Sequence, residues 1–264
     1  MRWIAVAVVC LALAGGFGFA FVRRAQLPPA ERGRRVAERS GCFGCHGPGG
    51  LHGANNPGRT DKTVPNFADD VMMYAKTPDE IHEWIHNGAT HKKAASLIWR
   101  ADRERGVLKM PAFKNRMNER DMDDVVAYVM AASGMPEPDD SLAAQGLQRA
   151  EDLGCVGCHG PGGRLARPNP GSWKSSIPSW DGADFPEVVR DSTEFREWVE
   201  RGVSHRFQAN AVASFFLKRA LVKMPAFDKH LESGDVTALW AYVTWLRTTG
   251  SRMRAEPMEE HHHE

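Results

Sequence analysis

Apolar residues recur at helical spacing along this chain, and no stretch alternates as a strand would. The segment from Thr77 to Ile85 opens with a capping box and a first-turn proline, then places apolar residues three and four positions apart. A second amphipathic segment, 122–129, predicts a helix ending near Gly134. A short helix is also predicted over 33–39. These segments together predict an all-α fold.

The same elements return in the second half of the chain. Asp191 and Glu194 take the place of the first capping box, and the apolar face that follows ends at Val199. A last amphipathic helix is predicted over 236–243, ending near Gly250. The chain between the predicted helices is rich in Gly, Pro and Asn, which predicts loops.

The correspondence between the halves is a tandem duplication. Early in each copy, matched residues of the two copies are separated by a constant number of positions. Later in each copy the separation is one residue longer, which indicates a single inserted residue. The matched pairs are Gly33 with Gly146, Asn56-Pro57-Gly58 with Asn169-Pro170-Gly171, Trp84 with Trp198, His91 with His205, and Lys109-Met110-Pro111-Ala112-Phe113 with Lys223-Met224-Pro225-Ala226-Phe227. We therefore predict a first domain over 30–135, a second over 141–250, a proline-rich linker between them, and a flexible tail over 251–264.

The beginning of the chain is apolar. Trp3 to Val22 contains no charged residue, and twenty helical residues span about 30 Å, the thickness of a bilayer's hydrocarbon core. We predict a membrane anchor over 1–24. A signal peptide cleaved before Phe21 is the alternative, since Gly15-Gly16 weakens the helix and small residues precede that site.

Composition adds few constraints. The formal net charge is +1, with 42% hydrophobic and 25% charged residues, which is ordinary for a globular chain and gives no indication of nucleic-acid binding. Of the five cysteines, Cys10 lies in the apolar run and is predicted to be a small apolar side chain. The other four form two identical motifs.

Those motifs are Cys42-Phe43-Gly44-Cys45-His46 and Cys155-Val156-Gly157-Cys158-His159. C-x-x-C-H is the attachment signature of haem c: two thiols bind the porphyrin and the next residue, His46 or His159, binds the iron. A zinc tetrad or a redox pair also uses paired cysteines. Zinc pairs usually lie closer in sequence, and the βαβ pattern of thioredoxin-like proteins is not found.

The pattern resembles class I cytochromes c, and two copies indicate a dihaem member. The resemblance implies two covalently bound haem c groups, attached outside the cytoplasm. It places the bulk of the chain on the periplasmic side of a bacterial inner membrane, or free in the periplasm if the first segment is cleaved. It also implies that Gly33 meets Tyr128, and Gly146 meets Tyr242, where the first and last helices of each domain cross.

The sixth iron ligand decides the chemistry, because a filled second axial position makes a haem an electron carrier. Met110 and Met224 are the predicted ligands; each opens Met-Pro-Ala-Phe in the loop before the last predicted helix of its copy. The following proline fixes a bend that would hold the thioether in place. His91 and His205 are the rival ligands.

Two further pairs have weaker predicted roles. Trp84 and Trp198 are predicted core residues whose indole N–H is an alternative donor to a haem propionate. Lys109 and Lys223 precede the predicted ligands and are candidates for attracting an acidic redox partner.

These features predict an electron-transfer protein without catalytic residues of its own. The expected setting is a respiratory or dehydrogenase complex of the inner membrane, with redox proteins as partners. The rival is a dihaem enzyme, such as a cytochrome c peroxidase or a thiosulfate-oxidising cytochrome, which would leave one haem open or exchangeable.

Overall fold

The chain is helical throughout the part that the structure describes. The computed structural model describes residues 15, 16, 18, 27–68, 70–134 and 137–255. Within these ranges β pairing is limited to two isolated bridges, Asn55 with Thr63 and Pro168 with Ser176. The all-α prediction is confirmed, and the two bridges occupy matched positions of the two copies.

The two copies contain the same helices in the same order. Those of the first are α1 (Pro29–Arg39), α2 (Phe43–His46), α3 (Val71–Tyr74), α4 (Pro78–Asn87), α5 (His91–Ala95), α6 (Leu97–Arg105) and α7 (Glu119–Ala132). Those of the second are α8 (Ser141–Asp152), α9 (Cys155–His159), α10 (Phe185–Val188), α11 (Ser192–Arg201), α12 (His205–Ala209), α13 (Ala211–Arg219) and α14 (Asp235–Ala255). Short 3₁₀ turns lie at Pro48–Gly50, Pro161–Gly163 and Asp228–His230.

The predicted caps of α4 and α11 are confirmed. The hydroxyl of Thr77 accepts a hydrogen bond from the backbone N–H of Glu80 at 3.2 Å. The Glu80 carboxylate reaches the N–H of Lys76 at 2.7 Å, one residue before the cap itself. Asp191 caps the equivalent helix by accepting from the N–H groups of Thr193 and Glu194.

The segments predicted as loops contain helices α5, α6, α12 and α13. Their starts are capped by side chains where Ser96 accepts from Trp99 and Asn210 accepts from Ala213. No residue of α6 is fully buried, and Leu97 and Ile98 at its start are 73% and 85% exposed. Because its apolar residues do not lie on one buried face, the periodicity that marks the other helices is absent here.

The first copy is closed by the crossing of α1 and α7. A Cβ on Gly33 would overlap the backbone carbonyl of Asp124, so glycine is required for this approach. The atoms nearest to that Cβ belong to Asp124 and Val125, and the contact of Gly33 with Tyr128 stays a prediction. Arg32 fastens the crossing, donating to the two carboxylate oxygens of Asp124 at 2.7 and 2.5 Å.

The second copy is closed in the same way by α8 and α14. A Cβ on Gly146 would overlap the carbonyl of Ala238 and crowd the Cβ of Tyr242, so the predicted contact with Tyr242 is confirmed. Arg149 donates to both carboxylate oxygens of Asp235 at 2.9 and 2.7 Å. Each copy has its own hydrophobic core, and Leu165 of the second is buried against the core of the first.

Several predictions fall on the ends of the chain. The anchor at 1–24 lies outside the described residues except for three glycines, and Cys10 lies outside them as well. Across the described ranges, no helix has both the length and the apolar character to span a membrane. The last helix does not end near Gly250 but continues to Ala255, and the rest of the predicted tail lies outside the described residues.

Candidate haem sites

Each C-x-x-C-H motif forms one short helical turn. Gly41, with φ of 80°, ends the preceding helix in a left-handed conformation that favours glycine. The backbone N–H groups of Cys45 and His46 then donate to the carbonyl of Cys42 at 3.2 and 3.0 Å. This turn places the two cysteines about one helical turn apart, as attachment to a single porphyrin requires.

The second motif repeats this arrangement, with Gly154 at φ of 73° before α9. In both motifs the first cysteine, Cys42 or Cys155, is half-buried, and burial raises the pKa of its thiol. The second cysteine, Cys45 or Cys158, is exposed, and none of these four cysteines forms a disulfide.

A backbone carbonyl orients each predicted proximal histidine. His46 Nδ1 lies 2.7 Å from the carbonyl oxygen of Pro65, and His159 Nδ1 lies 2.9 Å from that of Pro178. Because a carbonyl only accepts, Nδ1 carries the proton and Nε2 keeps a free lone pair for a metal. Burial lowers the pKa of both imidazoles, which favours the neutral form that binds iron.

An aromatic residue packs against each histidine. The ring of Phe67 lies 4.7 Å from that of His46, and the ring of Trp180 lies 5.1 Å from that of His159. Each aromatic is held edge-on by a tyrosine of the last helix, Tyr128 or Tyr242, at 6.2 and 6.0 Å.

The same tyrosines fasten the loop after the motif. Tyr128 donates its hydroxyl proton to the carbonyl of Gly49 at 2.8 Å, and Tyr242 donates to that of Gly162 at 2.9 Å. The last helix of each copy therefore supports the imidazole both through the aromatic ring and through the loop.

Sequence reasoning missed these supports of the histidines. The signal for them was present, because Pro65 with Pro178 and Phe67 with Trp180 are offset by the same interval as the two attachment motifs. Only the folded chain shows why these positions repeat.

The predicted methionine ligands lie on loops that an asparagine clamps. Asn56 donates from Nδ2 to the carbonyl of Leu108 at 2.9 Å and accepts from the N–H of Leu108 at 2.8 Å, two residues before Met110. Asn169 makes the same pair of bonds with Val222, both at 2.9 Å, two residues before Met224. This clamp explains the repeated Asn-Pro-Gly motif.

A cavity of about 900 Å³ in the second copy brings the predicted site residues together. Its lining includes all four of them: Cys155, Cys158, His159 and Met224. The volume is in the range of cofactor pockets. In the first copy, Cys42 and Met110 both pack, half-buried, against the same hydrophobic core.

The rival histidine ligands are on the surface. The side chain of His91 is 85% exposed, and its Nδ1 lies 2.9 Å from Glu83. His205 is also exposed, and its backbone N–H donates to Glu197 at 2.8 Å. Both residues open short helices, and the geometry favours a role at those helix starts over iron binding.

Trp84, Trp198 and Lys109 each have a partner in the structure. The indole N–H of Trp84 donates to the carbonyl of Tyr74, and that of Trp198 to the carbonyl of Val188, both at 3.1 Å. These backbone acceptors disfavour the alternative in which the N–H groups reach a propionate. Lys109 pairs with Glu104 at 2.6 Å, which reduces its availability to an acidic partner.

The residues present fit haem c. Two thiols, an imidazole with a free Nε2 and a thioether line one cavity in the second copy, and soft sulfur with imidazole nitrogen suits haem iron. In the first copy the indole N–H of Trp99 is buried without a hydrogen-bond partner, as expected where a bound group supplies the acceptor.

Comparison with known proteins agrees with this geometry. The cytochrome c family matches residues 30–133. The cbb3-type cytochrome c oxidase subunit FixP of Azorhizobium caulinodans is 31% identical over 213 residues, covering 80% of this chain and 58% of that protein. The subunit CcoP of Azospirillum sp. is 28% identical over 218 residues, covering 81% and 61%.

A shorter match links the chain to FixP of Sinorhizobium medicae, 30% identical over 119 residues, covering 45% of this chain and 35% of that one. The chain thus spans about a third to three fifths of these curated relatives' length. A solved structure, the Kuenenia stuttgartiensis reducing HAO-like protein complex, is 19% identical and covers 83% of this chain and 98% of its own, with a TM-score of 0.28.

Residues 30–133, which carry the first attachment motif, are thus a cytochrome c family domain, and the second copy repeats its motif and its helices.

Proposed function

We propose that the chain carries two covalently attached haem c groups and transfers single electrons. Cys42 with Cys45, and Cys155 with Cys158, form the thioethers. His46 with Met110, and His159 with Met224, are the axial ligands. The observation that carries this proposal is the second-copy cavity, where His159 with a free Nε2 and Met224 line one space with both thiols.

When bound, the haem supplies reversible one-electron chemistry at its iron. The residues of the chain orient and hold the iron ligands. The Pro65 and Pro178 carbonyls fix the imidazole tautomer, and the asparagine clamps hold the methionine loops. A thioether ligand raises the potential, and filling both axial positions excludes substrate, so the protein itself performs no further chemistry.

We further propose that the chain is a membrane-anchored subunit of a respiratory complex, facing the periplasm and exchanging electrons with redox proteins. Several of the curated relatives it matches are named as subunits of cbb3-type cytochrome c oxidases. The uncharged segment Trp3–Val22 is long enough to serve as the anchor.

The ligands are tested by optical spectroscopy of the ferric protein. We expect the charge-transfer band of an iron–thioether bond, with about half of its intensity lost in Met110→Ala and half in Met224→Ala, since each variant removes one of two equivalent ligands. His91→Ala and His205→Ala are matched controls that leave the band intact. A wild-type protein without the band, or with a high-spin haem, would reject the proposal and favour a dihaem enzyme.

The anchor is tested by cell fractionation. The full chain should stay with the membrane after a high-salt wash, whereas a variant whose residues 1–24 are replaced by a cleaved signal peptide should be released. Release of the unaltered full chain would contradict anchoring.

A further inference from the structure

One wall of the pocket differs between two copies that otherwise repeat each other. The same asparagine clamps, Asn56 to Leu108 and Asn169 to Val222, hold both loops. The two walls can therefore be compared position by position. At six matched positions the first copy has Arg59, Thr60, Asp61, Lys93, Asp102 and Arg103, where the second has Ser172, Trp173, Lys174, Phe207, Phe216 and Leu217. Five charged residues in the first copy are thus reduced to one in the second.

In the first copy this wall is a network of charges. Arg59 lies 3.2 Å from Asp61 and 3.2 Å from Asp102. The hydroxyl of Thr60 donates to Asp102 at 2.7 Å. Tyr74 donates its hydroxyl proton to Asp61, and burial together with this carboxylate raises the pKa of Tyr74 to about 12.

The network extends to the predicted ligand loop. Arg103 donates to the carbonyl of Met110 at 3.2 Å, and its guanidinium lies 5.7 Å from the ring centre of Trp99. A charged group of this network therefore lies beside the methionine loop of the first copy.

In the second copy all six matched residues line the cavity of His159 and Met224, and three of them, Trp173, Phe207 and Phe216, are aromatic. Trp173 packs edge-on against Phe216 at 4.9 Å, and Phe207 packs against Trp198 at 5.4 Å. The single remaining charge, Lys174, is paired with Asp184 at 3.3 Å and Glu187 at 3.2 Å.

The aromatic content of the walls is rearranged between the copies. Trp99 of the first copy is matched by Ala213, which lines the second cavity, while Trp173 supplies an indole there from the loop that holds Thr60 in the first copy. The second wall therefore has more aromatic residues, and the larger contrast is in charge, with five charged residues at the six matched positions of the first copy against one in the second.

We infer that this wall gives the second-copy haem the higher reduction potential, so that electrons run through the chain from the first haem to the second. The inference rests on the proposed function and specifies its direction. Ferric haem carries one more positive charge than ferrous haem, so a less polar wall favours the ferrous state. The ion pairs of the first wall make it polar, and a polar environment favours the more highly charged ferric state.

The transfer itself balances with one electron and no proton. The first iron is oxidised from ferrous to ferric as the second is reduced from ferric to ferrous. A one-electron redox protein reduces the first haem again, and a second such protein oxidises the second.

The test is an optical redox titration of the full, haem-loaded chain. We expect two one-electron waves. Met224→His, which exchanges thioether for imidazole, should move the upper wave down and leave the lower one in place. Met110→His should move only the lower wave.

The wall is tested by exchanging matched residues. Phe216→Asp should lower the upper wave, and Asp102→Phe should raise the lower one, so that the two converge. If Phe216→Asp does not fold, Trp173→Thr takes its place in the same test. Leu142→Asp introduces the same charge on a partly exposed residue of α8, outside the wall, and should leave both waves unchanged.

The possible failures are distinguishable. If Met224→His moves the lower wave, or if neither wall exchange shifts a wave, the inference is overturned while the thioether band still supports the proposed function. If the band is absent from the wild type, the proposed function itself falls.

Discussion

The asparagine clamp leads to a quantitative prediction for the methionine loop. Asn56 is 4% exposed, and its amide makes two hydrogen bonds of 2.8–2.9 Å to the backbone of Leu108. Asn56→Ala removes both bonds and leaves the N–H and carbonyl of Leu108 without partners. Each unsatisfied buried group costs about 1–3 kcal/mol, and Leu108 is half-buried, so the low end of this range for its two groups gives a loss of about 2 kcal/mol for the folded loop.

That loss should appear as weaker binding of Met110 to iron under the proposed ligation. Added imidazole competes for the same axial position, and about 2 kcal/mol in the loop corresponds to about 30-fold tighter imidazole binding. Asn169→Ala should do the same to the second haem. The assay is an imidazole titration followed by loss of the thioether band.

Asn118→Ala is the matched control. Asn118 caps α7 by accepting from the N–H of Asp121 at 2.8 Å, so its removal should cost about 1 kcal/mol of unfolding free energy. It should leave imidazole affinity unchanged. If Asn56→Ala lowers the unfolding free energy but not the resistance to imidazole, the clamp stabilises the fold in general and the reasoning about the ligand loop is refuted.

Two further predictions concern the helix crossings. Gly146→Ala should cost the upper end of about 1–3 kcal/mol in chemical denaturation, because its Cβ meets the backbone of Ala238; a loss below about 1 kcal/mol would contradict the close approach. The bonds from Arg149 lower the pKa of Asp235, so its stabilisation is present above the unfolded-state pKa and lost as pH falls through the folded-state value. The gap in unfolding free energy between wild type and Asp235→Asn should therefore shrink as the pH falls below about 5 and through the unfolded-state pKa of about 3.9, and a constant gap would exclude this linkage.

Local chemistry made part of this protein predictable. The attachment motif is a run of five residues, and the start of α4 depends on the hydroxyl of Thr77 three residues before Glu80. Such features need only neighbours in sequence. The tandem duplication added a second signal in the sequence, because positions matched between the two copies identified the Asn-Pro-Gly and Met-Pro-Ala-Phe motifs without any structure.

Features that depend on contacts between distant segments were not predictable in this way. Gly33 and Gly146 meet the carbonyls of Asp124 and Ala238 because the depth and angle of a helix crossing are set by packing along both helices. Helix α6 was missed because it presents no buried apolar face.

The haem sites show the same difference between features set by neighbours in sequence, which the chain alone determined, and features set by contacts between distant segments, which the tertiary structure decided. The sequence determined that each imidazole follows two thiols, but the carbonyl that orients it comes from Pro65 or Pro178, 19 residues away. Likewise, the roles of matched positions such as Asp102 and Phe216 can be inferred only from the folded chain, in which they lie beside a ligand loop. Covalent attachment is encoded over a few residues, whereas tautomer, burial and polarity depend on which distant groups the fold brings together.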